Sequence, residues 1–191
     1  FMAFVALRPM VAAPEFTYQT LWSALTAAAV IAVARPVLDF RVSRPLATVA
    51  IGLAVFLIWI GPDLAAPGYR ESRLFSNALT GAARTSLSEA GQAHASLLAL
   101  RTARSVIIVP IAEELFWRAW LMRWIISPNF RKIALGTYTA ASFWVVAALF
   151  ASEHGAYWDV GLAAGIIYNW WMIRTKSLGD LILAHAVTNG C

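Results

Sequence analysis

Ser105-Val-Ile-Ile-Val-Pro110-Ile-Ala-Glu113-Glu114-Leu-Phe-Trp-Arg118-Ala-Trp-Leu-Met-Arg123-Trp-Ile-Ile126 is an apolar run with two carboxylates and a guanidinium in its middle. As a helix it would be about 33 Å long, enough for the roughly 30 Å hydrocarbon core of a bilayer. Each such charge costs roughly 2.5 to 3.5 kcal/mol at the bilayer centre, so drift would tend to remove charges that do nothing. Glu114 and Arg118 stand four apart, share a helix face and can pair, whereas Glu113 is rotated by about 100° and can point into a different space. One carboxylate is then structural and the other free for chemistry; the alternative is a buried ion network that only fixes helix packing. Pro110, one turn upstream, predicts a local kink.

The rest of the chain agrees with a membrane solvent. Hydrophobic residues make up 60% of the 191 residues and charged ones 13%, with a mean hydropathy of +0.67, whereas a soluble domain carries about a quarter charged residues. The net charge of +5 comes from 15 Lys and Arg scattered between apolar stretches, which argues against a nucleic-acid partner and for loop charges that set membrane orientation. Cys191, the single cysteine, excludes an internal disulfide and a Cys-rich zinc site. Arg8 and Pro9 interrupt the first apolar run, so nothing reads as a cleaved signal peptide. Phe1 is not an initiator methionine and the last apolar run is short, so the native protein is expected to extend beyond both ends.

Apolar stretches bounded by charge or proline predict spans at Thr17–Ala34, Leu46–Ile60 (closed by Gly61-Pro62), Ser105–Ile126, Ala134–Ala151 and Trp158–Ile173, with another beginning at Leu178. The segment Asp63–Arg104, with charges beside Leu87, Leu97, Leu98 and Leu100, reads as an extramembrane loop with one interfacial amphipathic helix. The expected fold is an all-α, multi-pass transmembrane bundle of about six membrane helices: one membrane-embedded domain over 1–191 with its motif-bearing core at 105–191. Trp22, Trp59, Trp124 and Trp158 fall near span ends, as headgroup-level anchors do. Basic residues cluster at Arg35–Arg44, Arg123–Lys132 and Arg174–Lys176, on one side if the spans alternate, and that side should be cytoplasmic.

Two further polar groups interrupt the apolar pattern. Phe150-Ala-Ser-Glu-His154 closes one span and His185-Ala-Val-Thr-Asn189 lies in the last run, each with its end residues on one helix face. His94, in the polar segment, reads as solvated. A carboxylate beside an imidazole can activate water as a general base, and an imidazole with an amide N–H can stabilise an oxyanion, which are the parts of amide hydrolysis. The same His and Glu set could hold a divalent metal, although no His-Glu-x-x-His spacing is present. The residues require no cofactor, and these two mechanisms stay open.

In this order, Glu113-Glu114-x-x-x-Arg118, Phe150-x-x-x-His154 and His185-x-x-x-Asn189 resemble the three signature motifs of the CAAX prenyl protease and bacteriocin-processing (abortive infection) family of intramembrane proteases. The resemblance covers Ser105 to Cys191. It implies an endopeptidase that hydrolyses a peptide bond near a membrane-anchored, CAAX-type prenylated C-terminus. Prokaryotic members associated with bacteriocin immunity or protein sorting leave the substrate wider than that. Carried over by motif, Glu113 is the base that activates water, His154 helps to hold it, His185 and Asn189 face the oxyanion, and Glu114 and Arg118 brace the site. The partners implied are membrane lipid and a peptide or membrane-anchored protein, in a prokaryotic cytoplasmic membrane.

Two other classes compete. A non-catalytic membrane protein that binds a peptide or partner helix would use the same residues as buried polar glue and would tolerate Glu113→Gln. An ion or proton pathway would also place carboxylates and histidines in the membrane, but no inverted repeat is visible. With the basic connections inside, His154 falls near the outer end of its span and Glu113 in the outer half of its own, whereas the family's eukaryotic enzymes open toward the cytosol.

Overall fold

The computed structural model describes residues 14–81 and 94–191, whose regular structure is helical, without strands. Six helices follow one another: α1 (Glu15–Ala34), α2 (Pro45–Ala65), α3 (Ala95–Ile126), α4 (Ala140–Ser152), α5 (Trp158–Thr175) and α6 (Leu178–Gly190). Two of them, α2 and α3, are long and apolar enough to cross a membrane, with mean hydropathies of 2.0 and 1.5. Only 17% and 22% of their apolar windows is buried, so neither is the enclosed core helix of a water-soluble domain. The expected six spans therefore reduce to two that qualify on length and composition. Helices α4 and α6 are 13 residues each, and α1 and α5 are diluted by residues such as Gln19 and Ser23 or Asp159, Asn169 and Arg174.

Helix α3 differs most from the sequence expectation. It begins at Ala95 and runs unbroken through Ile126, so the loop expected up to Arg104 is in part the first third of this helix. Arg104 looked like a boundary charge, yet it is buried: its Nη1 donates to Gln19 Oε1 and its guanidinium lies 3.8 Å from the Trp22 ring centroid, both on α1. The part of that segment with Arg84, Leu87 and Glu89 lies outside the described residues. Pro110 has no N–H and its ring crowds the carbonyl four residues back. Helix α3 absorbs this by opening into a wide π-type turn at Arg104–Ile108, where the Val109 N–H reaches Arg104 O. A second wide turn follows at Leu115–Leu121.

The expected breaker Gly61-Pro62 does not end α2, which continues to Ala65 with the Ala66 N–H bonded to Pro62 O. Proline so near a C-terminus forfeits only one of the last helical bonds. At the other end of α2, the fully buried Asp180 of α6 accepts from Ser43 N (2.8 Å), Ser43 Oγ (2.7 Å), Arg44 N (3.1 Å) and Thr48 Oγ1. Further along, a Cβ on Gly52 would sit 2.5 Å from Ala184 O, so only glycine lets α2 approach α6 this closely. Thr188 Oγ1 completes the seam by donating to Gly52 O at 2.9 Å.

The three basic connections meet at one end. Asp39–Ser43, Leu135 and Lys176–Leu178 surround a common cavity of about 190 Å³, as alternating helices require. At the opposite end Arg70 pairs with Asp63 of α2 (2.8 Å) and Asp159 of α5 (3.0 Å) and donates to Ala156 O. Of the four tryptophans expected at the headgroups only Trp124 is exposed. Trp22 is buried on Arg104, Trp158 stacks on Phe75 and donates to Leu74 O, and Trp59 turns toward the site described next. Trp124 and Trp158 lie at helix ends as expected, whereas Trp22 and Trp59 stand inside α1 and α2, and the cations and rings they cover decide their direction.

Candidate active site

Glu113, His154, His185 and Asn189 line one cavity of about 290 Å³, with Val55, Phe56 and Trp59 of α2 and Tyr168 of α5 among its walls. They arrive from three segments: the middle of α3, the turn after α4, and the second half of α6. Glu114 and Arg118 lie behind the cavity, both 0% exposed, with Nη1 of Arg118 3.1 Å from Glu114 Oε1. The one-residue offset between Glu113 and Glu114 turns one carboxylate into the cavity and the other into the protein.

His185 joins the two. Its Nδ1 is 2.8 Å from Glu114 Oε1 and its Nε2 is 3.9 Å from Glu113 Oε2, and its ring stacks on Tyr168 with centroids 5.2 Å apart. A carboxylate on Nδ1 fixes the ring's orientation and leaves Nε2 directed at the cavity. Arg118, besides Glu114, donates through Nε to Asn169 Oδ1 (3.0 Å) and lies 4.5 Å from the Phe150 ring centroid. Asn169 is in turn held by its Nδ2–H bond to Phe143 O (2.8 Å). Phe150 thus packs as a platform for the cation and, at 4.7 Å between centroids, for the His154 ring.

His154 sits in the turn between α4 and α5, beyond the last residue of either helix. Its Nδ1 is 2.7 Å from Phe150 O. A carbonyl only accepts, so Nδ1 carries the proton and the neutral ring keeps an acceptor lone pair on Nε2. Trp59 meets the His154 ring edge-on (5.1 Å, 71°), and a Cβ on Gly161 would come within 3.0 Å of Nδ1.

Asn189 reaches the cavity from the exposed end of α6, and its Nδ2 donates to Ser105 O at 2.9 Å. The wide turn explains this bond. Val109 N–H is committed to Arg104 O and Pro110 has no N–H, so the Ser105 carbonyl lacks its usual helical donors and the asparagine supplies one. One Nδ2 hydrogen remains for the cavity. His94 is exposed at the start of α3, apart from this group.

Sequence reasoning missed Tyr168, Asn169, Trp59 and Thr188, which takes the Tyr168 hydroxyl proton at 2.7 Å. Asn169 was findable, because it is a buried amide in an apolar stretch, the same signal that exposed the glutamates. Nothing in the sequence marks Trp59. Among the described residues no group of three or more His, Cys, Asp or Glu side chains stands together as a metal site would require.

The family model for type II CAAX prenyl endopeptidase Rce1-like proteins matches residues 95–191, just over half of the chain and the part that holds all seven motif residues. Neither the curated proteins nor the solved structures contain a match.

Proposed function

The chain belongs to the Rce1-like family of type II CAAX prenyl endopeptidases, a family of membrane proteases, and from that premise we propose that it is an intramembrane endopeptidase hydrolysing a peptide bond near a membrane-anchored C-terminus. The observation that carries the reading is that Glu113, His154, His185 and Asn189, from three separate motifs, line one cavity. The six helices form a membrane-embedded bundle, and its exposed apolar side chains, such as Leu53, Leu57 and Trp144, contact lipid.

Glu113 takes a proton from water while Nε2 of His154 accepts the other hydrogen, which turns the oxygen lone pair toward the scissile carbonyl. Carbon–oxygen bond formation pushes charge onto the carbonyl oxygen. That oxyanion accepts from the free Nδ2–H of Asn189 and, when the ring carries both protons between its two carboxylates, from Nε2–H of His185. Glu113 then returns its proton to the leaving amine as the C–N bond breaks. General-base assistance contributes about 10²- to 10⁴-fold, and one oxyanion donor about 10²- to 10³-fold. Glu114 and Arg118 act by fixing His185 rather than by touching substrate.

Proteoliposomes with the purified protein and membrane-anchored peptides test this in H₂¹⁸O, with and without chelator. The reading predicts one ¹⁸O in the new C-terminal carboxylate and cleavage that survives the chelator. Chelator-sensitive cleavage would move water activation to a metal, and no cleavage across a panel of anchored peptides would favour a binding protein.

A further inference from the structure

The two ends of the bundle differ in charge, and the candidate site is nearer one of them. The three connections that meet at one end carry eight Lys and Arg, from Arg35 to Lys176, against the exposed Asp39 and an Asp180 consumed by four hydrogen bonds. Among the described residues the other end carries Glu15, Asp63, Glu71, Glu153 and Asp159 against Arg70, Arg73, Arg101 and Arg104, with Arg70 held by two of those carboxylates and Arg104 buried on Gln19. Short connections rich in Lys and Arg stay in the cytoplasm.

Depth follows from helix rise. At 1.5 Å per residue from the basic end, Glu113 is about 20 Å from Ile126, His154 about 21 Å from Ala140, and Asn189 about 17 Å from Leu178. In a hydrocarbon core of roughly 30 Å, three independent helices thus set the site about two-thirds of the way across, in the leaflet away from the basic connections. The cavity lining also reaches the exposed Cys191 after α6, at that same end.

We propose that the cavity is entered from the non-cytoplasmic side and that its substrates are membrane-anchored peptides presented on that side, not tails that acquire a lipid in the cytosol. A scissile bond about 10 Å below that surface requires a segment that unwinds next to its anchor, because a helix hides its carbonyls in hydrogen bonds. The substrate half of this proposal rests on the peptidase reading above; the orientation half does not.

Cys191, the chain's single cysteine, is a built-in reporter. A membrane-impermeant maleimide should label it in intact cells about tenfold more than in inverted vesicles, and Lys176→Cys in a Cys191→Ser background should show the reverse. Labelling of Cys191 from the cytoplasmic side, of Lys176→Cys from outside, or of either equally from both sides overturns the orientation. In oriented proteoliposomes, peptides displayed on the Cys191 side should be cleaved and those on the Lys176 side spared, with the opposite preference refuting the substrate class. If labelling is as expected and no peptide on either side is cut, the peptidase reading fails and the orientation stands.

Discussion

Replacing Arg118 with methionine removes the only cation at 3.1 Å from Glu114 among the described residues, in a place where both side chains are 0% exposed. Glu114 would keep its contact with His185 Nδ1 but stay buried as a carboxylate, and Asn169 would lose the donor to its Oδ1. Breaking a buried pair from one side costs about 3 to 5 kcal/mol, whereas replacing both partners with apolar groups of similar volume is often close to neutral. Interhelical polar contacts in bilayers lie below the soluble values, so about 3 kcal/mol is expected for Arg118→Met. Glu114→Met/Arg118→Met should recover most of that, and because Glu114→Met alone strands Arg118 in the same way, the coupling in the double-mutant cycle should exceed about 2 kcal/mol. Unfolding in mixed detergent micelles, followed by tryptophan fluorescence, reads all four corners. Activity should be lost in the double variant despite its recovered stability, because His185 no longer has an anchor at Nδ1. A cost under about 1 kcal/mol for Arg118→Met, or a double variant no more stable than the single, would refute the bracing role.

Further outcomes follow from other contacts. Trp59→Ala should lower kcat about 10- to 100-fold with little change in KM, since Trp59 orients His154 while itself stacked on Tyr157 (6.3 Å), and Trp59→Phe should restore most of it. A rise in KM alone would make Trp59 a wall of the cavity and no more. Gly52→Ala should cost about 1 to 3 kcal/mol, read in the same micelle unfolding, because the new Cβ meets Ala184 O at 2.5 Å and pushes α2 off α6.

Much of the candidate site was legible because charge in an apolar helix is costly and therefore informative. The one-residue offset of Glu113 and Glu114 anticipated that they face different surroundings, and the spacing of four anticipated the Glu114–Arg118 pair and the contact of Phe150 with His154. The relation of His185 to the carboxylates was not legible: their 71-residue separation is closed by helix packing, so the ring that the motif assigned to the oxyanion also turned out to contact both glutamates. Asn189 likewise spends one hydrogen on a carbonyl freed by Pro110, a bond visible only once the wide turn is known. In the fold, breakers and charges misled in two places. Pro62 was harmless in a last turn, and Arg104 was covered by Gln19 and Trp22 of a helix 85 residues earlier. The alternation of helices was readable from the basic connections, while the number that cross a membrane was not, because the 13-residue α4 and α6 are too short to qualify as spans and the apolar runs around them do not show where a helix ends.

The most direct test of the central claim is the rate of cleavage of a membrane-anchored peptide by Glu113→Gln beside wild type, both shown to be folded by their unfolding transitions. Glutamine keeps the shape and the cavity but cannot take a proton from water. A fall of about 10³-fold or more, with peptide binding unchanged, is the predicted result. Cleavage within tenfold of wild type would contradict it and remove Glu113 as the base.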